Sequence, residues 1–359
     1  MRKKTIAGLA AVAVAVGCTV GVTKPQQDPR LNHWGVKDMS VAAALKVDDP
    51  ACESTTLVST GGPRPRDPET LSIRWTGFAN FELAYKGQVI LLDAYFDRGS
   101  MFPPLGFRAE DVTRADVMLI GHGHVDHMSD AASVGQRTGA VIVGAPVTTE
   151  KLFSQGVDPK QVRTVNGRGG ELLTFKGFTV EPILGRHGEP PPAVTAAFQQ
   201  ALKATAPQAT KEQLAELAAI RQRGVVGDMR VVTEGTIAFL ITLDNGFRIL
   251  FRDSGGVVTD YEKAAMERVG GVDVALVAVS ASFLHTLTAQ RALEHMRAYR
   301  PDVYIPAHHD ASYNNLWRAT EPLFNALKNE NPNLVTISKG YREPVCFNTE
   351  YNIERRKKS

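Results

Sequence analysis

The sequence has little excess charge, and its N-terminal apolar run is too short to cross a membrane. Its 359 residues include 41 basic and 38 acidic side chains, which leaves a formal net charge of +3. A balance this close to neutral gives no indication of a nucleic-acid partner. The apolar run at residues 6–16 falls short of the ~20 residues that a spanning helix needs. Because 43% of the residues are hydrophobic, a disordered chain is excluded and a sizeable core is expected.

Cysteine is scarce, with Cys18, Cys52 and Cys346 as its three occurrences. If Cys18 is removed or lipidated during export, Cys52 and Cys346 remain as an even pair in an oxidising compartment. They could then form one disulfide. The alternative, two unrelated buried thiols, is left open by the sequence.

The N-terminus has the layout of a signal peptide. Arg2, Lys3 and Lys4 precede the apolar run, and Gly17 and Cys18 follow it, so residues 1–18 are predicted to direct export. The residues 15–18 also resemble the lipobox of bacterial lipoproteins, which implies a lipid anchor at Cys18 as the protein's link to a membrane. The expected location is the periplasm or the outer membrane of a bacterium. Ordinary cleavage nearby, with a soluble product, is the alternative.

The rest of the chain divides by composition. Residues 19–70 are rich in Pro, Asp, Thr and Gly and are interpreted as a tether and an N-terminal extension that lies along the domain. Residues 71–345 are predicted to form the folded domain, and residues 346–359 a C-terminal tail. Within the domain, short apolar runs cut by turns predict strands at 72–75, 80–85, 89–93, 117–120, 141–143, 172–175, 178–183, 236–243, 248–251, 274–279 and 303–305. Helices are predicted at 109–114, 129–137, 260–269 and 289–299, the last with Thr288 as N-cap. Strands with helices outside them predict a layered α/β sandwich.

An insertion at about residues 190–230 departs from this rhythm. Residues 194–204 and 211–222 have helical patterns, and the second begins with a capping box at Thr210 and Gln213. The insertion starts beside His187, so it could be a lid or a wall of the substrate pocket. A peripheral decoration is the equal alternative, since loops both carry function and tolerate insertion.

The most informative segment is a cluster of metal-ligand residue types after a short apolar strand. Side chains two apart in an extended chain point the same way, so His122 and His124 can bind one metal together. Asp126 and His127 follow as the chain turns toward a helix, and they can face a second metal. Imidazoles and carboxylates suit zinc and similar divalent ions. The glycines at 121 and 123 are expected to let the backbone pass close to the ions.

This segment resembles the His-x-His-x-Asp-His signature of the metallo-β-lactamase superfamily, and the resemblance extends over residues 72–341. It implies an α/β fold of four layers, the αβ/βα metallo-β-lactamase sandwich. In detail the chain looks closest to the branch that contains ascorbate phosphate lactonase and the N-acyl phosphatidylethanolamine phospholipases. That branch often has Gly-His-Ala or Gly-His-Ser in its first hairpin, whereas this chain has Gly77-Phe78-Ala79.

The resemblance implies the remaining ligands, each placed by its local motif. His187 matches the third histidine of the first metal, and Asp253 matches the carboxylate that bridges both metals. His308, rather than the adjacent His309, matches the terminal histidine of the second metal. Asp93 matches an acidic residue that supports the site by orienting a ligand histidine. The implied cofactors are two divalent metal ions, zinc first, with manganese or iron as alternatives.

The other histidines and two arginines receive structural interpretations. His33 and His295 are expected to be surface groups. His285 is expected to be structural, with a place in the pocket wall as the alternative. Arg186 and Arg252 each precede a ligand on a strand, so alternation predicts that they point away from the metals.

The site chemistry and the resemblance together predict a hydrolase, because two divalent ions can lower the pKa of water and polarise the bond under attack. Asp126 is the expected catalytic residue, since it would bind the second ion and orient the nucleophile. A carboxylic ester or lactone is the leading small-molecule substrate. Phosphodiester or phospholipid cleavage is the next alternative and a β-lactam the third, and a non-catalytic metal-binding surface lipoprotein is the alternative outside enzymes. The sequence does not indicate an oligomeric state.

Overall fold

The computed structural model describes residues 41–189, 209–279, 285–310 and 320–350, together with the single positions 192, 196 and 200. These residues form two seven-stranded sheets. In each sheet, four neighbouring strands at one edge pair antiparallel, and the remaining neighbours pair parallel.

The first sheet contains, in spatial order, β14 (Pro344–Asn348), β1 (Thr70–Trp75), β2 (Phe81–Tyr85), β3 (Gln88–Leu92), β4 (Val117–Leu119), β5 (Val141–Gly144) and β6 (Val162–Thr164), of which β14 to β3 pair antiparallel. The second sheet contains, in spatial order, β13 (Val335–Thr336), β12 (Val303–Ala307), β11 (Val274–Ala278), β10 (Arg248–Arg252), β9 (Ile237–Leu243), β8 (Phe178–Leu184) and β7 (Leu173–Phe175), of which β10 to β7 pair antiparallel. The helices are α1 (Val41–Ala44), α2 (Val125–Met128), α3 (Ala131–Thr138), α4 (Pro146–Ser154), α5 (Lys211–Arg221), α6 (Arg230–Thr233), α7 (Asp260–Val269), α8 (His285–Tyr299) and α9 (Glu321–Glu330).

Three hydrophobic layers hold the sheets and helices together. The central layer lies between the sheets, where side chains such as Phe81 of β2 and Phe251 of β10 meet. A second layer packs α3 and α4 on the outer face of the first sheet. A third packs α7, α8 and α9 on the outer face of the second sheet. Helices outside two facing sheets make four layers, and the predicted αβ/βα sandwich is confirmed.

The strand patterns explain why the predicted elements form. Central strands such as β11 are buried on both faces and therefore read as continuous apolar runs. The hairpin turn between β2 and β3 consists of Lys86 and Gly87, which both have positive φ, at 45° and 75°. Two consecutive residues of this kind match the right-handed twist of the strands that they join.

Three element predictions were wrong. Residues 109–114 form only a single 3₁₀ turn, Ala109–Asp111, because Val112 is extended. Thr288 does not cap its helix, which already begins at His285, so the threonine lies inside it. The C-terminal tail does not begin at 346, because β14 pairs with β1 and places Cys346 opposite Ser72 in the first sheet.

The N-terminal extension packs against the first sheet through buried polar contacts. Arg74, on β1, donates to the main-chain oxygens of Ala51 and Ser54. Glu82, on β2, accepts from the backbone nitrogens of Val58 and Ser59, each at 2.8 Å. Among the residues that the structure describes, no helix is both long and apolar enough to cross a membrane.

Cys52 and Cys346 form a disulfide, with their Cα atoms 5.8 Å apart. The bond joins the extension to β14 across a separation of 294 residues in sequence. The sequence left this pairing open, and the structure decides it in favour of the bond.

Replacing both cysteines by serine is expected to lower the free energy of unfolding by ~2–5 kcal/mol, because a long loop then gains freedom in the unfolded chain. Denaturant titration of the oxidised wild type, the reduced wild type and Cys52→Ser/Cys346→Ser measures this change. The reduced wild type should match the variant, and equal midpoints for all three samples would contradict a stabilising bond.

Candidate metal centre

The histidine-rich motif follows the carboxyl end of β4, an interior strand of the first sheet. His122 and His124 are on the extended segment after the strand, and His124 is the N-cap of the short helix α2. Asp126 and His127 lie on that helix. The change from extended chain to helix turns the second pair of side chains in a different direction from the first, as the spacing predicted.

The other predicted ligands also follow strand ends. His187 comes after β8, Asp253 directly after β10 and His308 directly after β12, and Asp93 directly after β3. The two sheets face each other, so these ends meet at one edge of the sandwich. The structure therefore brings together all the predicted site residues, although they span residues 93 to 308.

Three overlapping groups of side chains have ligand atoms within 4.8 Å of one another. The first group contains His122, His124 and His187, with the His122 and His187 ring centroids 4.9 Å apart. The second contains Asp126, His127 and His308, with His308 Nε2 3.2 Å from Asp126 Oδ2. The third is His122, His127 and Asp253, so it shares one member with each of the other two.

Asp253 lies between the first two groups. Its Oδ2 is 2.6 Å from His122 Nδ1 and 3.3 Å from His127 Nδ1. Its Oδ1 is buried and has no hydrogen-bond partner among the described residues. Since a buried carboxylate oxygen is costly to leave unpartnered, this atom fits a cation at the centre, and the set of nitrogen and oxygen donors around it suits zinc.

Burial keeps most of the imidazoles in the neutral form that binds metals. Burial, followed by repulsion from neighbouring histidines, lowers the pKa of His122 well below its usual range. The same causes lower the pKa of His187 to about 2. Burial also lowers the pKa values of His124 and His127, although nearby carboxylates oppose the effect.

Asp126 and His308 stabilise each other's charge. Burial raises the pKa of Asp126, but the positive potential of His127 and the hydrogen bond from His308 outweigh it, and the net pKa lies well below the usual value. For His308, burial lowers the pKa, and the hydrogen bond and charge of Asp126 raise it above the usual value overall. Asp126 is thus an ionised carboxylate across the neutral pH range.

Asp93 supports the site in the way the resemblance implied. Its Oδ2 is 2.7 Å from His127 Nδ1, and its Oδ1 accepts from the backbone nitrogen of Gly121 at 2.9 Å. Asp93 has a φ of 57°, a left-handed conformation that non-glycine residues adopt at an energetic cost. The fold therefore maintains a strained backbone that aims this carboxylate at a ligand histidine.

The glycines at 121 and 123 are needed for a reason other than the predicted approach to metal ions. A Cβ at Gly121 would overlap the Asp253 carboxylate, and one at Gly123 would lie 2.7 Å from the Val225 side chain.

Gly121→Ala is accordingly expected to displace Asp253 and to weaken metal binding and kcat/KM by about 10–100-fold, the range seen when ligand-supporting contacts are lost. Metal analysis with steady-state kinetics tests this. Gly139→Ala is a control for backbone strain alone, because Gly139 has a φ of 75° and no atom lies within 4 Å of an added Cβ, and equal metal content in both variants would contradict the expected displacement.

Sequence reasoning missed the residues that hold His308. Its φ is 63°, its backbone nitrogen donates to Phe78 O at 2.7 Å, and the ring of Phe78 lies 5.1 Å from its own. Asp310 accepts from Phe78 N at 2.9 Å, from Arg98 Nη1 at 2.8 Å and from the hydroxyl of Tyr341 at 2.5 Å. The departure at Phe78 and the acidic residue two positions after His308 were the available signals. Phe78 therefore packs against one side of His308.

The positions of the remaining histidines agree with the predictions in one case and differ from them in another. His309 stacks on Trp75, with ring centroids 4.3 Å apart, which agrees with the choice of His308 for the site. His295 was wrongly predicted to be a surface group, because it is buried under the second sheet with Nε2 2.8 Å from Gly256 O. The side chain of His285, and all of His33, lie outside the described residues.

The end of the insertion contacts the metal motif directly. The second predicted helix is confirmed as α5, including its capping box at Thr210 and Gln213, whereas the first, at 194–204, lies outside the described residues. Beyond α5, the backbone nitrogen of Val225 donates to Gly123 O at 2.7 Å, and Arg223 forms an ion pair with Asp130 at 2.8 Å. This part of the insertion is built onto the motif and is not a peripheral addition.

Comparison with known proteins agrees with this geometry. The sequence profile of the Beta-lactamase superfamily domain matches residues 72–308. A metal-dependent hydrolase of Cupriavidus necator is 24% identical over 76% of this chain and 84% of its own length. One of Methanopyrus kandleri is 28% identical over 33% of this chain, and the match spans about half of that relative, 47%.

Two solved structures share the fold. A metallo hydrolase from Ignicoccus hospitalis aligns over 77% of this chain and 98% of its own, with 15% identity and a TM-score of 0.54. An isothiocyanate hydrolase from Delia radicum gut bacteria aligns over the same shares, 77% and 98%, with 14% identity and a TM-score of 0.50. Two facing sheets with the histidine and aspartate cluster at their shared edge, and a profile that covers most of the chain, place this protein in the metallo-β-lactamase superfamily, whose relatives are named metal-dependent hydrolases.

Proposed function

We propose that this protein is an exported dinuclear metal-dependent hydrolase of a carboxylic ester or lactone. The observation that carries the proposal is the position of Asp253 between two groups of ligand residues. Each group offers a histidine-rich set of donors for one divalent ion, and Asp253 is within reach of His122 in one and His127 in the other.

In the proposed site His122, His124 and His187 hold the first ion, and Asp126, His127 and His308 hold the second, with Asp253 shared between them. Two such ions would supply a lowered pKa for water and polarisation of the bond under attack. Asp126 is ionised and 27% exposed, so its carboxylate can accept a hydrogen bond from a water and orient it. Asp93 fixes the ring of His127 through its hydrogen bond.

The surroundings of the site favour a neutral substrate over a phosphodiester. Phe78 presents an aromatic ring beside His308 and packs edge-to-face with Tyr95 and Phe102. Arg98 is buried and forms an ion pair with Asp310, and Arg252 is directed away from the site toward Glu262. Neither guanidinium is available to a substrate phosphate, which favours an uncharged ester or lactone as the substrate.

Export is supported by the N-terminal pattern and by the disulfide between Cys52 and Cys346. Disulfides persist in oxidising compartments and are rare in the cytosol. We propose a periplasmic or outer-membrane protein, with Cys18 as the residue that a lipid would modify.

The decisive experiment compares substrates on one preparation of the mature protein with measured metal content. Lactones and aryl esters, a bis(aryl) phosphodiester, a β-lactam and an isothiocyanate are assayed before chelation, after chelation and after addition of Zn²⁺. We expect about two zinc ions per chain, and a kcat/KM for ester or lactone at least ~100-fold above that for the phosphodiester, a difference of about 2.7 kcal/mol in transition-state stabilisation.

Two outcomes would contradict the proposal. Activity that survives complete removal of metal would reject the metal-dependent mechanism. A preference for the phosphodiester would keep the metal centre and replace the substrate class, which returns the phospholipase-like alternative to first place.

A further inference from the structure

A buried polar network lies directly behind the metal centre, on the outer face of the second sheet. Its members are Arg252, Glu262 and Tyr299, here called the Arg252 network. Arg252 Nε donates to Glu262 Oε1 at 2.8 Å, and the Tyr299 hydroxyl donates to the same oxygen at 2.6 Å. The side chains of the ion pair are 1% and 0% exposed. Arg252 immediately precedes Asp253 on the strand, so alternation directs the two side chains to opposite faces, as the sequence predicted.

The guanidinium of Arg252 also bonds to the backbone beside a second metal ligand. Its Nη2 donates to Arg186 O at 3.1 Å and to Val257 O at 3.0 Å. Arg186 precedes His187. One side chain therefore links the strand end that carries Asp253 to the loop that carries His187.

Further contacts join the same two segments. Gly188 N donates to Ser254 Oγ at 2.8 Å, and Thr259 Oγ1 donates to Leu184 O at 2.7 Å. Gly256 packs so tightly against the backbone of residues 186 and 187 that a Cβ there would overlap it. The loop of His187 is thus held on both sides of the histidine by the chain that follows Asp253.

Burial of an ion pair this deep in the protein has a large desolvation cost, so filling space does not by itself account for the presence of the pair. Its hydrogen bonds end on carbonyls next to a ligand, which is the kind of contact that orients metal-binding side chains. We infer that Arg252 is a positioning residue, which acts through the His187 loop to set the geometry of the first metal site. This inference rests on the proposed dinuclear function.

The test replaces the ion pair by apolar side chains of similar size, in Arg252→Met/Glu262→Met. Exchange of a buried pair for apolar residues often preserves stability, but it removes the bonds to Arg186 and Val257. The matched control is Arg74→Met/Glu82→Met, since Arg74 and Glu82 form an ion pair that is 0% exposed on both sides, and Arg74 bonds to backbone oxygens of the N-terminal extension, at Ala51 and Ser54, and not to the loop of a metal ligand.

Zinc stoichiometry is measured by equilibrium dialysis over a buffered series of free Zn²⁺, with thermal unfolding in parallel. We expect Arg252→Met/Glu262→Met to bind one of its two zinc ions about 10–100-fold more weakly, as for other lost supporting contacts. The control variant should bind both as the wild type does. Adding His187→Ala to the first variant should cause a smaller loss than His187→Ala causes in the wild type, because both changes act on the same ligand.

Unchanged zinc affinity in the folded Arg252→Met/Glu262→Met variant would overturn the inference and leave the proposed function intact. A wild type that holds no zinc would overturn both. If the double variant does not fold, Arg252→Lys decides, because it keeps a positive charge beside Glu262 and removes the bonds from Nη2 to Arg186 O and Val257 O. We then expect about threefold weaker binding of one ion, and wild-type affinity in Arg252→Lys would reject the positioning role.

Discussion

Asp253→Ala is expected to lose both metal ions together and to reduce kcat/KM by about 10³-fold or more. A loss of this size corresponds to about 4 kcal/mol of transition-state stabilisation, within what metal ions contribute to hydrolysis. Asp253 is fully buried and touches His122 of one ligand group and His127 of the other. Removal of a shared carboxylate therefore weakens both groups, whereas removal of His124 or His308 is expected to empty mainly one.

Metal content per chain, measured beside kcat/KM, checks this expectation. Asp244→Ala is the matched control, because Asp244 forms an ion pair with Lys86 at the partly exposed end of a hairpin, away from the metal centre. Full activity in Asp253→Ala, or a loss of equal size in Asp244→Ala, would refute the shared position of Asp253.

Asp126→Asn is expected to retain much of its metal while kcat falls by about 10²–10³-fold. An amide is a poorer ligand than a carboxylate and carries no charge with which to orient the nucleophile, and misplacement of a reacting group costs a factor of this order. Because His127 and His308 hold the pKa of Asp126 well below its usual range, the wild-type carboxylate stays ionised as the pH falls through the range of ordinary carboxyl groups. Its protonation should therefore add no acidic limb to the pH-rate profile near neutral pH.

Paired measurements of metal content and kcat separate this effect from a general loss of the site. His308→Ala should lose metal and activity in proportion, since His308 is a proposed ligand. His309→Ala should be far milder, because His309 stacks on Trp75. An Asp126→Asn variant that keeps wild-type kcat would remove Asp126 from its catalytic role.

Much of the fold could be predicted because the central strands have a clear pattern in the sequence. Strands such as β9 and β11 are buried along nearly their whole length, so they appear in the sequence as apolar runs between turns. Three edge strands were missed. The strands β6 and β13 are short and partly exposed, and β14 lies at the junction with the predicted C-terminal tail. Their pairing depends on neighbours far away in the chain, which no local pattern records.

The site divides in the same way. His122, His124, Asp126 and His127 lie together in the sequence, and their spacing alone predicted two directions of ligand side chains. His187, Asp253 and His308 were found by resemblance, because each is a single residue at a strand end. The contacts of Asp310 and of the Arg252 network were not predictable, since they join segments that meet only after both sheets have formed.

The error at His295 has a related physical cause. A histidine on a helix is usually solvent-exposed, but this one lies on the face of α8 that packs beneath the second sheet. There its ring nitrogen meets the backbone oxygen of Gly256, and burial lowers its pKa well below the usual range. A neutral ring with one hydrogen bond can be buried at a much lower cost than a charged one.

The disulfide also determines how the protein bears a mechanical load. A force that pulls on residues before Cys52 and after Cys346 passes directly through the covalent bond, because the bond joins the two ends of the fold. The 294-residue separation between them could release roughly 1000 Å of extended chain, at about 3.5 Å per residue. The segment between the two cysteines cannot extend under this force while the bond is intact. Under tension the two sheets and the ligands at their edge would keep their arrangement, and a reductant would be needed before stretching could pull them apart.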